Sequence, residues 1–422
     1  MKNVSPFTYK NRDLCVDDVR LADLAKRHGT PLYVYSGTAM TSRLASYQKA
    51  FASHPTTVCY AMKANGNLTV VHLLAQAGAG VDIVSGGELY RARKAGVAPD
   101  KIVFSGVGKT TDEMADALRA GILMFNVESE EELDSLAGVA RRLKIPAPVS
   151  VRVNPNISVD THHHITTGKA ENKFGVLVDQ AESLYRRAAK NPWLKVVGVQ
   201  SHIGSQLLDV RPYGGTCQKL LALMDRLASA KIFIGVLDLG GGLGAVYDNE
   251  RAPTPADLAM QILPLLRGRS VRLIFEPGRY LVAEAGCLIT KVLYRKEPSH
   301  KNFVIVDAAM NDLARPALYD AHHEISPLRQ TPRGKYVADV VGPICESGDC
   351  LAKGRGVPRP QPGDLWAVMT AGAYGFSMSS QYNARPRAAE VLVMGKRHWL
   401  IRARETPVDL VRGETVPGDL PL

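Results

Sequence analysis

Long apolar runs are missing from this sequence. No segment approaches the roughly 20 uninterrupted apolar residues that a membrane-spanning helix needs, and the first residues, MKNVSPFTYKNRD, contain no apolar signal-peptide core. We therefore expect a cytoplasmic protein without a membrane partner. Low-complexity segments are also missing, and a content of 45% hydrophobic and 22% charged residues is typical of an ordinary globular protein.

Cysteine is scarce and dispersed. The six cysteines are spread over 422 residues rather than packed into a short disulfide framework, so we expect reduced thiols. They are Cys15, Cys59, Cys217, Cys287, Cys345 and Cys350. The histidine clusters at 162–164 and 322–323 lack acidic or cysteine partners at metal-ligand spacing, so we expect no metal site.

The charge is unbalanced but not concentrated. The net charge is +11, yet Lys and Arg are scattered and no basic stripe alternates with aromatic residues. We therefore expect no nucleic-acid partner. A basic balance also suits an enzyme that binds anionic small molecules.

One unit repeats between residues 57 and 279: a short β-rich apolar run, a turn, then a helical pattern. The apolar runs are 57–63, 81–85, 102–106, 123–127, 149–154, 196–203, 236–240 and 272–276. Helix-like stretches between them include 68–77, 87–95, 112–120 and 130–143. Alternating strands and helices predict parallel βαβ units, and eight such units close an α/β TIM barrel.

After Arg279 the pattern changes to short β-type runs broken by Pro- and Gly-rich turns. These runs are 288–294, 303–307, 336–341, 365–370 and 390–394. We therefore predict a barrel over 36–280 and an all-β C-terminal domain over 281–422. Residues 1–35, with a strand-like segment at 32–35, are expected to join the β-domain.

Reactive side chains follow several predicted strands, at the end of the barrel where such folds have their active sites. Lys63 ends the first run, in YAMKAN, and would project into the barrel mouth. His202 and Ser205 follow the sixth run, and Glu276 and Arg279 follow the eighth. Each signal alone also has a structural explanation, as a surface lysine, a structural histidine or a surface ion pair.

Two glycine-containing segments could bind phosphate. GGGLG, at 240–244 after the seventh run, would let backbone N–H groups approach an anion, although such a run is often only a tight turn. SGVGKT, at 105–110, is similar to a nucleotide-binding loop, but Val103 stands where that motif needs its first glycine. We therefore expect no nucleoside triphosphate site.

Lysine on strand one, imidazole on strand six, glycines after strand seven and a carboxylate on strand eight together resemble the alanine-racemase-like, fold-type III pyridoxal-phosphate enzymes. The resemblance implies that Lys63 carries pyridoxal 5'-phosphate as a Schiff base, that His202 stacks on its ring, and that Asp82 and Arg152 orient the lysine and its surroundings. It also assigns further cofactor contacts to Ser205, Gly240, Gly241, Gly242, Gly244, Gly278, Arg279 and Tyr374.

Glu276 separates two branches of this family. A carboxylate facing the pyridine nitrogen favours its protonated form, which makes the ring a stronger electron sink and suits decarboxylation. The racemases of the family have an arginine there, so racemisation is the weaker interpretation.

One motif of the predicted barrel and three of the predicted β-domain narrow the resemblance to the diaminopimelate decarboxylase family. They are NKFG at 172–175, DAAMNDLARPALY at 307–319, CESGD at 345–349 and AGAY at 371–374. The resemblance, from about residue 30 to 400, implies decarboxylation of meso-2,6-diaminopimelate to L-lysine and CO2, the last step of lysine biosynthesis.

The substrate has two carboxylates and two amines. Arg279, Arg315 and Tyr319 are implied to bind the distal carboxylate, for which arginine is better suited than lysine. Glu346 would accept from the distal ammonium, and Tyr374 would also line the substrate site.

The family uses the position of Cys345 to protonate the intermediate or to line the site from the neighbouring subunit. Because Cys345 and Glu346 would come from the second chain, the resemblance implies a homodimer with shared active sites. Whether Cys345 or Lys63 delivers the proton stays open.

Three alternatives remain. The enzyme could act on ornithine, arginine or carboxynorspermidine. It could be a non-catalytic paralogue, although Lys63, Glu276 and Cys345 are all present. It could be a barrel-only cofactor carrier, which the C-terminal domain argues against.

Overall fold

The computed structural model describes residues 5–157, 173–298 and 300–418. The histidine cluster at 162–164 and Asn172 of the NKFG motif lie outside these residues. The chain divides into two compact units, one formed by 39–283 and the other by 1–38 together with 284–422. None of the helices in the described ranges is long and apolar enough to cross a bilayer, and the cytoplasmic location stays a prediction.

The N-terminal segment contributes a three-stranded antiparallel sheet and a longer strand to the β-rich unit. Its elements are β1 (Phe7–Lys10), β2 (Asp13–Val16), β3 (Val19–Arg20), α1 (Leu21–His28) and β4 (Leu32–Ser36). Leu21, Leu24 and Ala25 are the buried face of α1, and they pack in one core cluster with Val16, Leu32 and later strands.

The second unit is built from strands and helices in alternation, from α2 (Gly37–Ala50) onward. Its strands are β5 (Thr56–Ala61), β6 (Gly80–Ile83), β7 (Ile102–Phe104), β8 (Met124–Val127), β9 (Ala147–Asn154), β10 (Val176–Leu177), β11 (Leu194–Gln200), β12 (Val236–Asp238) and β13 (Arg272–Phe275). Its further helices are α3 (Leu68–Gln76), α4 (Gly86–Lys94), α5 (Thr111–Ala120), α6 (Glu130–Leu143), α7 (Val178–Lys190), α8 (Arg211–Ser229), α9 (Pro255–Ile262) and α10 (Arg279–Val282).

Eight parallel strands close a barrel in the order β5-β6-β7-β8-β9-β11-β12-β13, and β13 pairs back with β5. Each of the eight predicted runs overlaps one of these strands, so the TIM-barrel prediction is confirmed. Cys59, Val103, Met124 and Ile274, from β5, β7, β8 and β13, form a buried cluster, as expected for side chains that fill a barrel interior. The two-residue β10, which pairs with β9, was not predicted.

The first barrel strand is shorter than the sequence suggests. β5 ends at Ala61, and Lys63 lies in a 3-10 turn, Met62–Ala64. Helix bounds agree more closely, because caps mark them: Thr110 and Glu113 form a reciprocal capping box at the start of α5.

Most secondary-structure elements in the C-terminal segment of the β-rich unit are strands, which confirms the all-β prediction for this part of the fold. Its elements are β14 (Gly286–Lys296), β15 (Phe303–Val306), α11 (Arg315–Tyr319), β16 (Ile325–Pro327), β17 (Lys335–Val341), β18 (Cys350–Pro358), β19 (Leu365–Val368), β20 (Ala389–Met394), β21 (Arg397–Arg402) and α12 (Pro407–Leu410). β4 pairs antiparallel with β14 and parallel with β20, so the N-terminal strand is interior to this sheet.

Candidate active site

Lys63 is paired with a buried carboxylate at the carboxyl end of the barrel. Its Nζ lies 2.7 Å from Asp82 Oδ2; the lysine side chain is 41% exposed and that of Asp82 is fully buried in β6. Asp82 Oδ1 makes no hydrogen bond to the described residues. The pair therefore holds an amine at the barrel mouth in a fixed position that a small molecule can reach.

Glu276, directly after β13, lies inside the same barrel. Asn126 Nδ2 donates to its Oε1 at 3.3 Å and Gln200 Nε2 to its Oε2 at 3.1 Å. Burial, followed by the charges of Asp238 and Asp82, raises the pKa of Glu276 well above its ordinary value. The carboxyl group therefore keeps a proton more readily than an exposed glutamate.

Asp238, the last residue of β12, is a second buried carboxyl group within hydrogen-bond reach of Glu276. Burial raises its pKa to about 7. Sequence reasoning missed Asp238, Asn126 and Gln200. A signal was present, because each is a polar residue in an otherwise apolar barrel strand, and buried polar side chains are held by specific partners.

His202 follows β11. The N–H of Gly241 donates to its Nδ1 at 3.2 Å, which leaves the ring proton on Nε2. Burial, together with the charges of Arg152 and Lys63, lowers the pKa of His202 well below its ordinary value. The ring is therefore neutral at physiological pH.

Arg152, in β9, is fixed from two sides. Its Nη1 donates to Glu128 Oε1 at 3.0 Å, and its guanidinium lies 4.7 Å from the ring centroid of Phe174. The N–H groups of Gly106 and Gly175 also donate to Glu128. Glu128 therefore connects the loop after β7 and the loop of the NKFG motif to Arg152. Its role was not predicted.

The glycine run lets three loops approach closely. A Cβ on Gly241 would lie 2.1 Å from the carbonyl oxygen of Glu276, and one on Gly242, where φ is +114°, would lie 2.3 Å from that of Gly204. A Cβ on Gly240 would lie 2.7 Å from the carbonyl oxygen of Ser201, and one on Gly244 would lie 2.9 Å from that of Leu207. No side chain fits there, so the run has a packing requirement besides any role in binding.

Arg279 is hydrogen-bonded to Ser205, and the cofactor and substrate roles predicted for these residues stay predictions. Arg279 Nη2 donates to Ser205 Oγ at 3.1 Å and Nη1 to the hydroxyl of Tyr247 at 2.7 Å. Tyr247 was not predicted. Gly278, one residue earlier, would place a Cβ 3.1 Å from that of Ala64 in the Lys63 turn, so these two loops also lie side by side.

Lys109 of SGVGKT is used internally. Its Nζ donates to the carbonyl oxygens of Gly106 and Asn126 and to Glu132 Oε1, each at 2.7 Å, and its side chain is 1% exposed. A nucleotide-binding lysine has to be available to phosphates, so the segment stabilises the fold.

The remaining predicted residues lie in the β-rich unit. Arg315, the first residue of α11, is buried, and Tyr319, the last, is half-buried. Tyr374 follows β19 with a left-handed φ of 54° and is also half-buried.

Cys345 and Glu346 are exposed on the loop between β17 and β18. The N–H of Cys345 donates to Asn383 Oδ1 at 2.8 Å, and the N–H of Ile344 donates to Asp349 Oδ2 at 2.8 Å. Two side chains therefore hold the loop, while the thiol of Cys345 and the carboxylate of Glu346 are exposed.

The barrel residues fit pyridoxal 5'-phosphate. Lys63 offers an amine for the aldehyde, Glu276 a buried carboxyl group for the pyridine nitrogen, and His202 a neutral ring. Arg279 offers a cation for the phosphate. The glycine run nearby offers a backbone that no side chain covers. Of that run, the N–H groups of Gly240, Gly241 and Gly244 already donate to Asp238, His202 and Leu207.

Comparison with known proteins agrees with this fit. The pyridoxal-binding domain of the pyridoxal-dependent decarboxylases matches residues 38–283. The chain is 51% identical to the diaminopimelate decarboxylase of Pseudomonas aeruginosa over 97% of this chain and 99% of that protein. It is also similar to the crystal structure of the diaminopimelate decarboxylase from M. jannaschii in complex with L-lysine (TM-score 0.94, 39% identity, 99% of both chains).

A further solved structure, the Helicobacter pylori diaminopimelate decarboxylase complexed with L-lysine, has a TM-score of 0.90 and 44% identity over 93% of this chain and 98% of its own. The barrel, with its lysine at the mouth, is thus the cofactor domain of a pyridoxal-dependent decarboxylase, and its cofactor is pyridoxal 5'-phosphate. Because the identity continues through the β-rich unit, the chain belongs to the diaminopimelate decarboxylase family.

Proposed function

We propose that this chain is a carboxy-lyase that converts meso-2,6-diaminopimelate to L-lysine and CO2, the last step of lysine biosynthesis. The observation that carries the proposal is the arrangement at the barrel mouth, where the Lys63 amine is paired with buried Asp82 and a buried carboxyl group, Glu276, ends the eighth strand. The near full-length identity to diaminopimelate decarboxylases supports the choice of substrate.

Lys63 is the residue that holds the cofactor. Asp82 accepts a hydrogen bond from its ammonium group and fixes Nζ, and it can accept the proton that Nζ must lose to react as an amine. When bound, the cofactor supplies an electron sink for the electron pair left by the departing CO2. Glu276 can give its proton to the pyridine nitrogen and, once ionised, stabilise the protonated ring, and neutral His202 offers a ring face without adding charge.

Arg152 and Arg279 bring positive charge to the mouth. Arg152 is oriented by Glu128, and it helps to keep His202 neutral. Arg279, held by Ser205 and Tyr247, would bind the cofactor phosphate or the distal carboxylate, since a guanidinium suits both groups.

The distal end of the substrate would be bound by residues of the β-rich unit. Arg315 and Tyr319 offer a guanidinium and a phenol to the carboxylate, Glu346 accepts from the ammonium, and Tyr374 contributes a second phenol. We further propose a homodimer in which Cys345 of the partner subunit assists protonation.

Lys63→Ala tests the proposal, with Lys94→Ala, a lysine at the exposed end of α4, as the matched control. The wild-type holoenzyme should be yellow and release CO2 from meso-diaminopimelate but not from ornithine, arginine or carboxynorspermidine. Lys63→Ala should lose the visible band and on the order of 10³-fold or more of the activity. A Lys63→Ala variant with the band and full turnover would contradict the assignment, and so would preferred CO2 release from another diamino acid.

A further inference from the structure

A buried histidine lies beside Arg315 in the β-rich unit. His323, between α11 and β16, is 0% exposed. Arg315 Nη1 lies 3.0 Å from His323 Nε2, and His323 Nδ1 lies 2.8 Å from the carbonyl oxygen of Met369, directly after β19. The imidazole therefore connects the guanidinium to the end of a sheet strand.

These two contacts fix the protonation state of the ring. A guanidinium has only donors, so Nε2 has to accept from Arg315, and the Met369 carbonyl has only lone pairs, so Nδ1 has to carry the proton. His323 is thus a neutral imidazole in the Nδ1–H form. The Arg355 Nη1 group, which donates to the carbonyl oxygen of His323 at 2.9 Å, fixes the backbone as well.

A neutral acceptor has a particular consequence for Arg315. A carboxylate in this position would pair with the guanidinium and cancel its charge, whereas a neutral imidazole accepts a hydrogen bond from the guanidinium and orients it without adding a negative charge. Arg315 is itself buried, and a buried cation is costly unless its hydrogen bonds are satisfied. The His323 contact thus orients the guanidinium without neutralising it, which suits an arginine that binds a carboxylate.

We propose that His323 is a positioning residue that orients Arg315 for the distal carboxylate of the substrate. This inference rests on the proposed function, in which Arg315 binds that carboxylate. It adds His323 to the residues that contribute to substrate binding, although His323 lies outside the motifs that the sequence shares with the family.

Two amide substitutions separate the contacts. In His323→Gln the side-chain oxygen can reach the place of Nε2 and accept from Arg315. In His323→Asn the amide can replace only the donor toward Met369. His54→Asn is the control, because His54 is another partly buried histidine whose Nε2 contacts a carbonyl oxygen, that of Val271, in the barrel unit.

The measurement is competitive inhibition of the holoenzyme by L-lysine, which has the distal carboxylate, and by 1,5-diaminopentane, which lacks it. His323→Asn should weaken inhibition by L-lysine on the order of tenfold and leave that by 1,5-diaminopentane unchanged. His323→Gln should recover most of the lysine affinity, and His54→Asn should change neither. Arg315→Met should reproduce the selective loss in larger measure.

Three results would overturn the inference. Equal weakening of both inhibitors in His323→Asn would mean a general structural role, and unchanged lysine inhibition would mean no role for the contact. Either result, with a selective loss in Arg315→Met, would leave the proposed function standing. If Arg315→Met itself shows no selective loss, the role of Arg315 in the proposed function fails, and the inference fails with it.

Discussion

The carboxyl group of Glu276 lies within hydrogen-bond reach of that of Asp238 inside the barrel. Both are buried, and Asp238 Oδ2 has no donor among the described residues. Two such groups side by side cannot both ionise without a large cost, so they are expected to share one proton. Burial, then the charges of Asp238 and Asp82 and the hydrogen bond with Asp238, raise the pKa of Glu276 well above its ordinary value.

Asp238→Asn should therefore lower the pKa of Glu276. The asparagine removes a neighbouring acid and supplies a permanent N–H donor, so the ionised form of Glu276 becomes more favourable. If ionised Glu276 is the active form, the acidic limb of the pH profile of kcat/KM should move to lower pH, with the cofactor still bound. Asp248→Asn, at an exposed position after the glycine run, should not move it, and an unmoved limb in Asp238→Asn would refute the shared proton.

The parts of the structure that sequence predicted are those that periodicity and caps determine locally. The barrel strands are apolar runs of fixed spacing, and the α5 and α6 helices begin at Thr110 and Ser129, which cap them. β18 and β21 were not predicted because their sequences, CLAKGRGVP and RHWLIR, include charged residues and, in β18, two glycines. Such strands are defined by pairing with β17 and β20, which no local pattern encodes.

The candidate site divides in the same way. Lys63, His202, Glu276 and Arg279 follow strands and could be found from their positions. Their partners are separated in sequence, as Asn126 is from Glu276 by 150 positions. Only the closed barrel brings such residues together, so Asp238, Gln200, Glu128 and Tyr247 became apparent with the three-dimensional structure.

Lys109 should contribute to stability and not to nucleotide binding. Lys109→Met leaves Glu132, whose pKa burial already raises, without its cation. We expect a loss of about 3–5 kcal/mol in the free energy of unfolding, because a buried charge loses its partner. Urea unfolding of the apoprotein measures this loss. The double variant Lys109→Met/Glu132→Leu should be more stable than the single variant, and a single variant as stable as the wild type would contradict the account.

Asp312 should make the protein less stable as the pH rises. Burial raises its pKa to about 7, whereas an unfolded aspartate titrates near about 3.9. Between these two pH values the folded chain retains a proton that the unfolded chain has released. The contribution of Asp312 to the free energy of unfolding is therefore complete below about pH 4 and is lost as the pH rises to about 7. The largest possible loss is about 4 kcal/mol.

Thermal unfolding of the apoprotein across this pH range tests the sign. Asp312→Asn should remove part of the decline in thermal stability with rising pH. Asp116→Asn, on the exposed face of α5, should leave the dependence of stability on pH unchanged. A steeper decline in Asp312→Asn would show that the sign is wrong.

Cys345 should be the most reactive thiol of the folded enzyme. Among the described cysteines it is the exposed one, whereas burial raises the pKa of the Cys217 thiol to about 12 and that of Cys59 well above its ordinary value. Only the thiolate reacts with alkylating reagents. Iodoacetamide should therefore modify Cys345 first, as located by peptide mass spectrometry, and Cys345→Ser should remove the fast phase. If Cys345 completes the substrate site, saturating L-lysine should slow the alkylation of Cys345 without affecting that of Cys350. An equal rate of Cys345 alkylation with and without L-lysine would exclude Cys345 from the site.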